Sequence, residues 1–198
     1  REVLSVPPGA GEAPRQAVEK ATAENMHDQA TIARLRSAVA PAARQAGVRA
    51  PRRALGDLLL ACDAEHLIPH CSGERVRLSE ADLPFASDLP EPRRAIEEGV
   101  AWGVAAGGPI VSIAWAHRTG VMSDRIAELG VTTAPAHRGR GYAKSAVSAV
   151  VEQITARGGE ALYACRPDNL PSRAVAQAVG FVPYGRALVL TSPWQLGR

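Results

Sequence analysis

Residues 138–143 read Arg-Gly-Arg-Gly-Tyr-Ala, between a β-branched run at 131–133 and an alanine- and valine-rich segment at 144–154. This order predicts a strand, a loop and a helix. Because Gly139 and Gly141 have no Cβ, the loop can adopt positive φ and a ligand can approach its backbone closely. The helix contributes unpaired N–H groups and the positive end of its dipole. The stretch therefore predicts an anion site, for which phosphate is the natural ligand.

Two better-known phosphate-binding loops do not fit this stretch. A nucleotide P-loop has Gly-Lys followed by Ser or Thr, whereas here Lys144 and Ser145 follow Ala143. A dinucleotide-binding loop has a third glycine and an acidic residue at a later strand end, and this sequence has neither in place. The spacing that remains is Arg138-x-x-Gly141-x-Ala143, with a strand before it and a helix after it.

Size, charge and cysteine content narrow the class of protein. The 198 residues suffice for one domain with an appendage or for two small domains, and the 46% hydrophobic share suffices for a core. Basic and acidic side chains are nearly balanced in residues 1–75 and in 76–198, so we expect no nucleic-acid partner. We expect no membrane partner either, because no apolar run approaches the roughly 20 residues that span a bilayer. The three cysteines form no regular framework, which favours a reducing, cytoplasmic location.

The N-terminal part of the chain has the pattern of a long helix. Residues 15–40 contain neither glycine nor proline, and helix-forming residues dominate. One face carries apolar residues at three- and four-residue spacing, namely Ile32, Leu35 and Val39. Pro41 is expected to kink or end this helix.

A second helix is predicted at 53–67. Its apolar side would consist of Leu55, Leu58, Leu59 and Cys62. Pro69 and Gly73 would end the helix. We therefore predict that residues 1–74 form a helical N-terminal extension.

From residue 76 onward, strand patterns alternate with helix patterns. Residues 76–78 predict a strand, Ser79-x-x-Asp82 resembles a capping box, and residues 90–98 predict a helix. Gly107 and Gly108 join two strand-like runs and predict a hairpin. The other predicted elements are strands at 101–106, 110–117, 125–133, 161–165 and 181–190, and helices at 144–154 and 172–179. This order predicts an α+β fold with a mixed sheet.

A second motif lies downstream of the loop, where Asn169-x-x-Ser172 is followed by Gly180-Phe181. The two motifs, in this order and at this separation, resemble those of the GNAT N-acetyltransferase superfamily. The resemblance covers residues 75–198, which would form an acyl-coenzyme A-binding domain after the extension at 1–74. It implies a GNAT fold, in which a mixed, mostly antiparallel sheet with splayed central strands is flanked by helices.

The resemblance also implies the substrates. Acetyl-coenzyme A would be the acyl donor, and an amine of a small molecule or a protein would be the acceptor. The backbone of Val131 and Thr133 would bind the pantetheine arm between the splayed strands, and Asn169 and Ser172 would lie near the same arm. The pyrophosphate would be held by the loop residues Arg138, Gly139, Arg140, Gly141, Tyr142 and Ala143.

Direct acyl transfer needs a group that takes the amine proton and donors for the developing oxyanion. By the resemblance, Glu128 in the strand before the loop would be the base, and the N–H near Val131 would be the oxyanion donor. The tyrosine that the family often places four residues before Gly-Phe is replaced by Ala176. Tyr184, Tyr142 or solvent would then protonate the departing thiolate.

Several alternatives remain open at this point. A zinc site could use Cys62, His66, His70 and Cys71, but the spacing is not a common zinc pattern, and we expect no metal. Because Ala176 replaces a tyrosine, the chain could be a non-catalytic acyl-coenzyme A sensor or scaffold. The N-terminal helices could instead mediate a homodimer. A regulatory role on nucleic acid through residues 15–66 is a further alternative, against which the balanced charge argues.

Overall fold

The computed structural model describes residues 16–17, 28–45, 53–82, 93–98, 100–118 and 125–191. Leu59–Gly185 forms one compact unit, and the residues before Leu59 and after Gly185 form the other. The described α-helices include α1 (Gln29–Gln45), α2 (Arg93–Glu97), α3 (Tyr142–Thr155) and α4 (Leu170–Val179), and a 3-10 helix spans Pro135–His137. The strands are β1 (Arg53–Cys62), β2 (Glu74–Arg77), β3 (Ala101–Ala105), β4 (Ile110–Arg118), β5 (Ile126–Thr133), β6 (Glu160–Cys165) and β7 (Val182–Thr191).

The strands form a single mixed sheet in the order β2-β3-β4-β5-β6-β1-β7. The pairs from β2 to β5 are antiparallel, whereas β5 and β6 are parallel. Helix α3 connects these two parallel strands, since a parallel pair requires a crossover connection. The predicted α+β class and the mostly antiparallel sheet are therefore confirmed.

Helix α3 covers one face of this sheet. The register places Trp102, Ala114 and Val131 side by side on that face, and Trp102 Nε1 donates to Gln153 Oε1 of α3 at 2.7 Å. Apolar residues on the other face form a separate cluster, which contains Leu78, Ala95, Ile96, Ala101, Ile110 and Ile113. Burial on both faces explains why β3 and β4 consist largely of Ala, Val and Ile.

Most elements from residue 74 onward lie where the pattern predicts them, with ends that differ by a few residues. Gly107 and Gly108 have φ of 70° and 122°, which confirms the hairpin. Asp82 accepts hydrogen bonds from the backbone N–H and the hydroxyl of Ser79, so the predicted capping contact is present. The start of the helix predicted at 90–98 lies outside the described residues.

The helix predicted at 53–67 is wrong, because residues 53–62 form strand β1 between β6 and β7. Leu60 and Cys62 are buried at the two-residue spacing of a strand. Leucine and alanine favour helices, but pairing on both edges of β1 overrides that local preference. The division at residue 74 stays a prediction, although β1 belongs to the same sheet as the strands that follow it.

Helix α1 also differs from its predicted end. It continues through Pro41 to Gln45, so the proline does not end it. Leu35 is buried, as the apolar face predicted. Part of the long helix predicted at 15–40, residues 18–27, lies outside the described residues.

Candidate functional site

The loop between β5 and α3 has the backbone conformation of an anion-binding nest. Gly139 and Gly141 have φ of 76° and 85°, and among the described residues only glycines have positive φ. The sign of φ therefore alternates from Gly139 through Arg140 to Gly141. Such alternation turns successive N–H groups toward one concave surface. The two glycines are needed here because other residues rarely adopt this φ.

The donors of this nest are unpaired within the described part of the chain. The N–H groups of Gly139, Arg140 and Gly141 donate to no backbone carbonyl there. Gly141 is the N-cap of α3, whose first turn has neither a capping side chain nor an acidic residue. Arg138 and Arg140 are exposed beside it. Unpaired donors, a helix N-terminus and nearby positive charge fit an anionic group such as the predicted pyrophosphate.

The sheet opens next to this nest. Parallel pairing between β5 and β6 runs from Ile126 and Glu160 to Leu129 and Tyr163. Beyond Leu129, β5 continues to Thr133 and remains paired with β4 on its other edge. Residues 130–133 therefore have one strand edge that is not paired with β6 in this register.

The register shows which backbone groups face that opening. Ala134 N–H donates to the carbonyl of Val111, and this hydrogen bond continues the β4–β5 ladder by one residue beyond the pair of Ser112 and Thr133. Because antiparallel strands alternate, Thr132 faces β4 while Val131 and Thr133 face away from it. The carbonyl of Thr133 accepts a hydrogen bond from Arg138 Nε at 3.2 Å. The groups that remain directed toward the opening are therefore the N–H of Thr133 and the N–H and carbonyl of Val131. Binding of pantetheine by Val131 and Thr133 stays a prediction.

Glu128 lies on the sheet face opposite α3, one position before the opening. It is paired across the strands with His117, and His117 Nε2 is 3.8 Å from Glu128 Oε2. The two side chains are 45% and 32% exposed, so water can reach both of them. On the same face, a Cβ on Gly130 would lie 2.4 Å from the ring of Trp115, so the indole covers the backbone here. No local pattern in the sequence indicates His117, because only strand register places it beside Glu128.

Asn169 and Ser172 have partners within the protein. Asn169 Oδ1 accepts from the N–H of Ser172 at 3.3 Å, so Asn169 is the N-cap of α4. The hydroxyl of Ser172 is 2.9 Å from that of Tyr163, a residue at the last β5–β6 pair. Burial raises the pKa of Tyr163, so its phenol stays protonated near neutral pH. The predicted cofactor roles of Asn169 and Ser172 stay predictions.

The candidate acids occupy different environments. Tyr184 in β7 is 71% exposed. Tyr142 begins α3, and its ring centroid is 6.3 Å from that of His137. Ala176 is fully buried in α4, at the position where the resemblance places a tyrosine. The assignment of Tyr184 as the acid stays a prediction.

The four residues weighed as zinc ligands make separate contacts. Burial raises the pKa of the Cys62 thiol to about 11. His66 Nδ1 is 2.7 Å from Asp63 Oδ1, and His70 Nε2 is 2.8 Å from the carbonyl of Ala178. Cys71 is exposed. Within the described residues, no group of three or more His, Cys, Asp or Glu side chains is arranged to hold a metal ion.

A cavity of about 760 Å³ lies at the other end of β5. Its lining residues come from the ends of β4 and α3 and the start of β5, and include His117, Arg125, Ala127, Gln153 and Arg157. At this end β5 and β6 are paired, so the cavity is separate from the opening beside the loop.

None of the helices in the described ranges has the length and hydropathy that a bilayer crossing requires.

The family model of the acetyltransferase (GNAT) domain matches residues 48–182. This match covers more than half of the chain, which therefore belongs to the GNAT acetyltransferase family. Membership implies acyl transfer from acyl-coenzyme A to an amine. The matched region includes β1, which the resemblance noted in the sequence did not cover. A comparison with curated proteins gives no match.

Solved GNAT structures have a similar fold. One from Novosphingobium aromaticivorans is 22% identical with a TM-score of 0.56, over 72% of this chain and 67% of that chain. One from Colwellia psychrerythraea is 16% identical with a TM-score of 0.57, over 70% and 56%. One from Kribbella flavida is 21% identical with a TM-score of 0.50, over 70% and 58%. This chain thus spans between 56% and 67% of the lengths of these proteins, and the likeness concerns the fold alone.

Proposed function

We propose that this protein transfers an acetyl or other short acyl group from acyl-coenzyme A directly to an amine. One observation carries the proposal within the family: only a 3-10 turn at Pro135–His137 separates the unpaired nest at 139–141 from the strand edge that opens between Leu129 and Thr133. A nest suits the pyrophosphate, and an open strand edge suits an amide-rich chain that pairs like a strand. The bound thioester supplies the acyl group.

The proposed roles follow from the positions of the chain's own groups. The N–H groups of residues 139–143 bind pyrophosphate with Arg138 adding positive charge beside them, and the backbone of Val131 and Thr133 pairs with the pantetheine amides. Glu128 accepts the proton that the attacking amine loses as the C–N bond forms. The N–H of Val131 stabilises the oxyanion while the C–S bond breaks. The thiolate then takes a proton from Tyr184 or from solvent.

The acceptor and the setting of the reaction are part of the proposal. We propose that the acceptor amine belongs to a small molecule or a protein, and that the reaction takes place in the cytoplasm. The balance of basic and acidic side chains along the chain supports a small anionic donor rather than a nucleic acid. Light scattering on the full chain would show whether the protein is a homodimer.

A calorimetric titration with acetyl-coenzyme A, followed by turnover with a panel of amines, tests this function. Glu128→Gln is expected to keep donor affinity and to lower turnover by about 10²-fold, the typical contribution of a general base. Glu160→Gln, at the exposed start of β6, is the matched control and should change neither quantity. Full turnover in Glu128→Gln would exclude Glu128 as the base.

The buried Ala176 favours a second function, a non-catalytic acyl-coenzyme A sensor or scaffold. Without a tyrosine at this position, the protein would bind the donor but transfer its acyl group poorly. The same two measurements separate these functions. Tight binding of acetyl-coenzyme A with no transfer to any amine would favour the sensor.

A further inference from the structure

The connection between β1 and β2, residues 63–73, reaches the phosphate-binding loop from a distant part of the sequence. In the sequence this segment lies outside both GNAT motifs. In the structure it crosses α4 and α3 before β2 begins at Glu74. It ends beside Gly141, the N-cap of α3.

Hydrogen bonds along its length hold this connection in place. Ile68 N–H donates to the carbonyl of Val179 at 2.9 Å, and His70 N–H donates to the hydroxyl of Ser148 at 3.0 Å. His70 Nε2 contacts the carbonyl of Ala178, and Arg75 donates to the carbonyl of His70. The backbone that leads to residue 72 is therefore anchored to both helices.

The end of the connection is packed against the first residues of α3. A Cβ on Gly141 would lie 3.0 Å from Ser72 Oγ, so the Ser72 hydroxyl is next to the backbone of the nest. A Cβ on Gly73 would lie 3.3 Å from Tyr142 Cε1 and 2.7 Å from Val104 Cγ1. Gly73 also has φ of 78°, so the chain turns sharply here at a position that favours glycine.

Ser72 brings a hydroxyl donor to a site where the backbone donors are already unpaired. Its side chain is half-buried and makes no hydrogen bond within the described part of the chain. We propose that Ser72 is a further binding residue of the acyl-coenzyme A site and that its hydroxyl donates to a pyrophosphate oxygen. This inference rests on the proposed function, because it requires that the nest bind pyrophosphate. A hydrogen bond to a charged oxygen is stronger than one to a neutral acceptor, and the anchored connection holds the donor in position before binding.

The affinities of coenzyme A and of pantetheine, which lacks the pyrophosphate, test this role. We expect Ser72→Ala to weaken coenzyme A binding by about tenfold or more, the effect of losing one hydrogen bond to a charged group. Ser72→Asp should weaken it by at least about 20-fold, because it places a like charge beside the pyrophosphate. Pantetheine affinity, measured by ligand-observed NMR, should stay within about twofold in both variants, since only the pyrophosphate contact changes.

Two control variants make the same kinds of change at other positions in the compact unit formed by Leu59–Gly185. Ser79→Ala removes a hydroxyl beyond the far end of β2, and Gln177→Glu adds one negative charge at an exposed position in the last turn of α4. Neither should change coenzyme A affinity by more than about twofold, as expected for sites away from the ligand. Thermal unfolding of each variant checks that it is folded.

The outcomes separate the inference from the function on which it rests. Wild-type protein that binds no coenzyme A would overturn both. Normal wild-type binding that neither Ser72 variant weakens would overturn the role of Ser72 and leave the proposed function standing. Equal losses for coenzyme A and pantetheine would also overturn it, because the effect would then not involve the pyrophosphate.

Discussion

The loop between β5 and α3 and the β1–β2 connection meet at Gly141 but are held in different ways. The loop at 134–141 depends on neighbours in sequence, with β5 before it, α3 after it and the two glycines, Gly139 and Gly141, near its end. The connection at 63–73 depends on contacts with α3 and α4, which lie far along the chain. Local order is therefore enough to form the anion nest, whereas long-range contacts place the residues that surround it.

The largest expected effect comes from a substitution that displaces the β1–β2 connection from the end of α4. A Cβ on Gly180 would lie 1.9 Å from the carbonyl oxygen of His66, and Gly180 has φ of 102°. Gly180→Ala is expected to lower the free energy of unfolding by about 3 kcal/mol or more, because the strained backbone and the clash add. Urea unfolding measures this loss.

Gly185→Ala is the control for that change, because a Cβ there would meet nothing within 4 Å and its φ is not positive. It should change the free energy of unfolding by less than about 0.5 kcal/mol. Similar losses in the two variants would mean that the contact between residues 66 and 180 contributes little.

The next effect tests the bridge from β2 to α3. Arg75 donates to Glu152 at 2.8 Å and also contacts Ser145 and the carbonyl of His70. The Arg75 and Glu152 side chains are 20% and 38% exposed, so the pair is only partly screened by water. Arg75→Ala should cost about 2 kcal/mol of stability, measured by urea unfolding, since it leaves several polar partners unpaired.

A comparison with a more exposed arginine separates the half-buried contacts of Arg75 from the effect of its charge alone. Arg77, at the exposed end of the same strand, is the matched position. Arg77→Ala is expected to cost less than about 1 kcal/mol, as exposed charges typically do. Equal costs at both positions would contradict a special role for Arg75.

A smaller effect compares the two glycines within the loop. Both have positive φ, but a Cβ on Gly139 would meet nothing within 4 Å, whereas one on Gly141 would approach Ser72 Oγ to 3.0 Å. Gly141→Ala should therefore weaken acetyl-coenzyme A binding by about tenfold, and Gly139→Ala by about threefold, because only the first adds a contact to the backbone strain. Calorimetric titration measures both. A larger loss at Gly139 would reverse the predicted order.

The smallest effect concerns the pH dependence of the connection. A hydrogen bond with Asp63 raises the pKa of His66, and the same bond lowers the pKa of Asp63. The stability that protonated His66 contributes is complete below the ordinary histidine pKa of 6.5, and it is lost as the pH rises through the higher pKa of the folded state. The stability that ionised Asp63 contributes is complete above the ordinary aspartate pKa of 3.8, and it is lost as the pH falls through the lower pKa of the folded state.

His66→Gln should therefore remove a small stability difference between pH 5.5 and pH 8.5, which urea unfolding at the two values would measure. Both groups are exposed, so the change is small and decreases with added salt. An unchanged pH dependence in His66→Gln would show that another group causes it.

Prediction from the sequence succeeded where the signal is local. The hairpin at Gly107–Gly108, helix α3 and the positive φ of Gly139 and Gly141 follow from residues that are close in the chain. It failed at β1, because Leu58, Leu59 and Leu60 also suit a helix and only pairing with β6 and β7 makes them a strand. Of the two effects predicted for Pro41, a kink or an end, the end is wrong, because α1 continues through the proline to Gln45.

The residues of the candidate site also fall into two groups, those that local sequence identifies and those that only strand register places. Arg138, Gly141 and the first turn of α3 could be identified without a fold, because a strand, two glycines and a helix in sequence place their own donors together. Glu128 was found by resemblance, but His117 beside it depends on the register of β4 and β5. A one-residue slip would move either side chain to the other face.

The sequence alone determined the two-glycine loop between a strand and a helix, the mixed sheet and the motifs of the family, because each depends on residue types at short spacing and on the order of short segments. Only the tertiary structure decided that Ser72 borders Gly141, that Tyr163 contacts Ser172, and that β5 and β6 separate after Leu129. These contacts join residues far apart in the chain, and their geometry depends on packing and strand register, which no local pattern specifies.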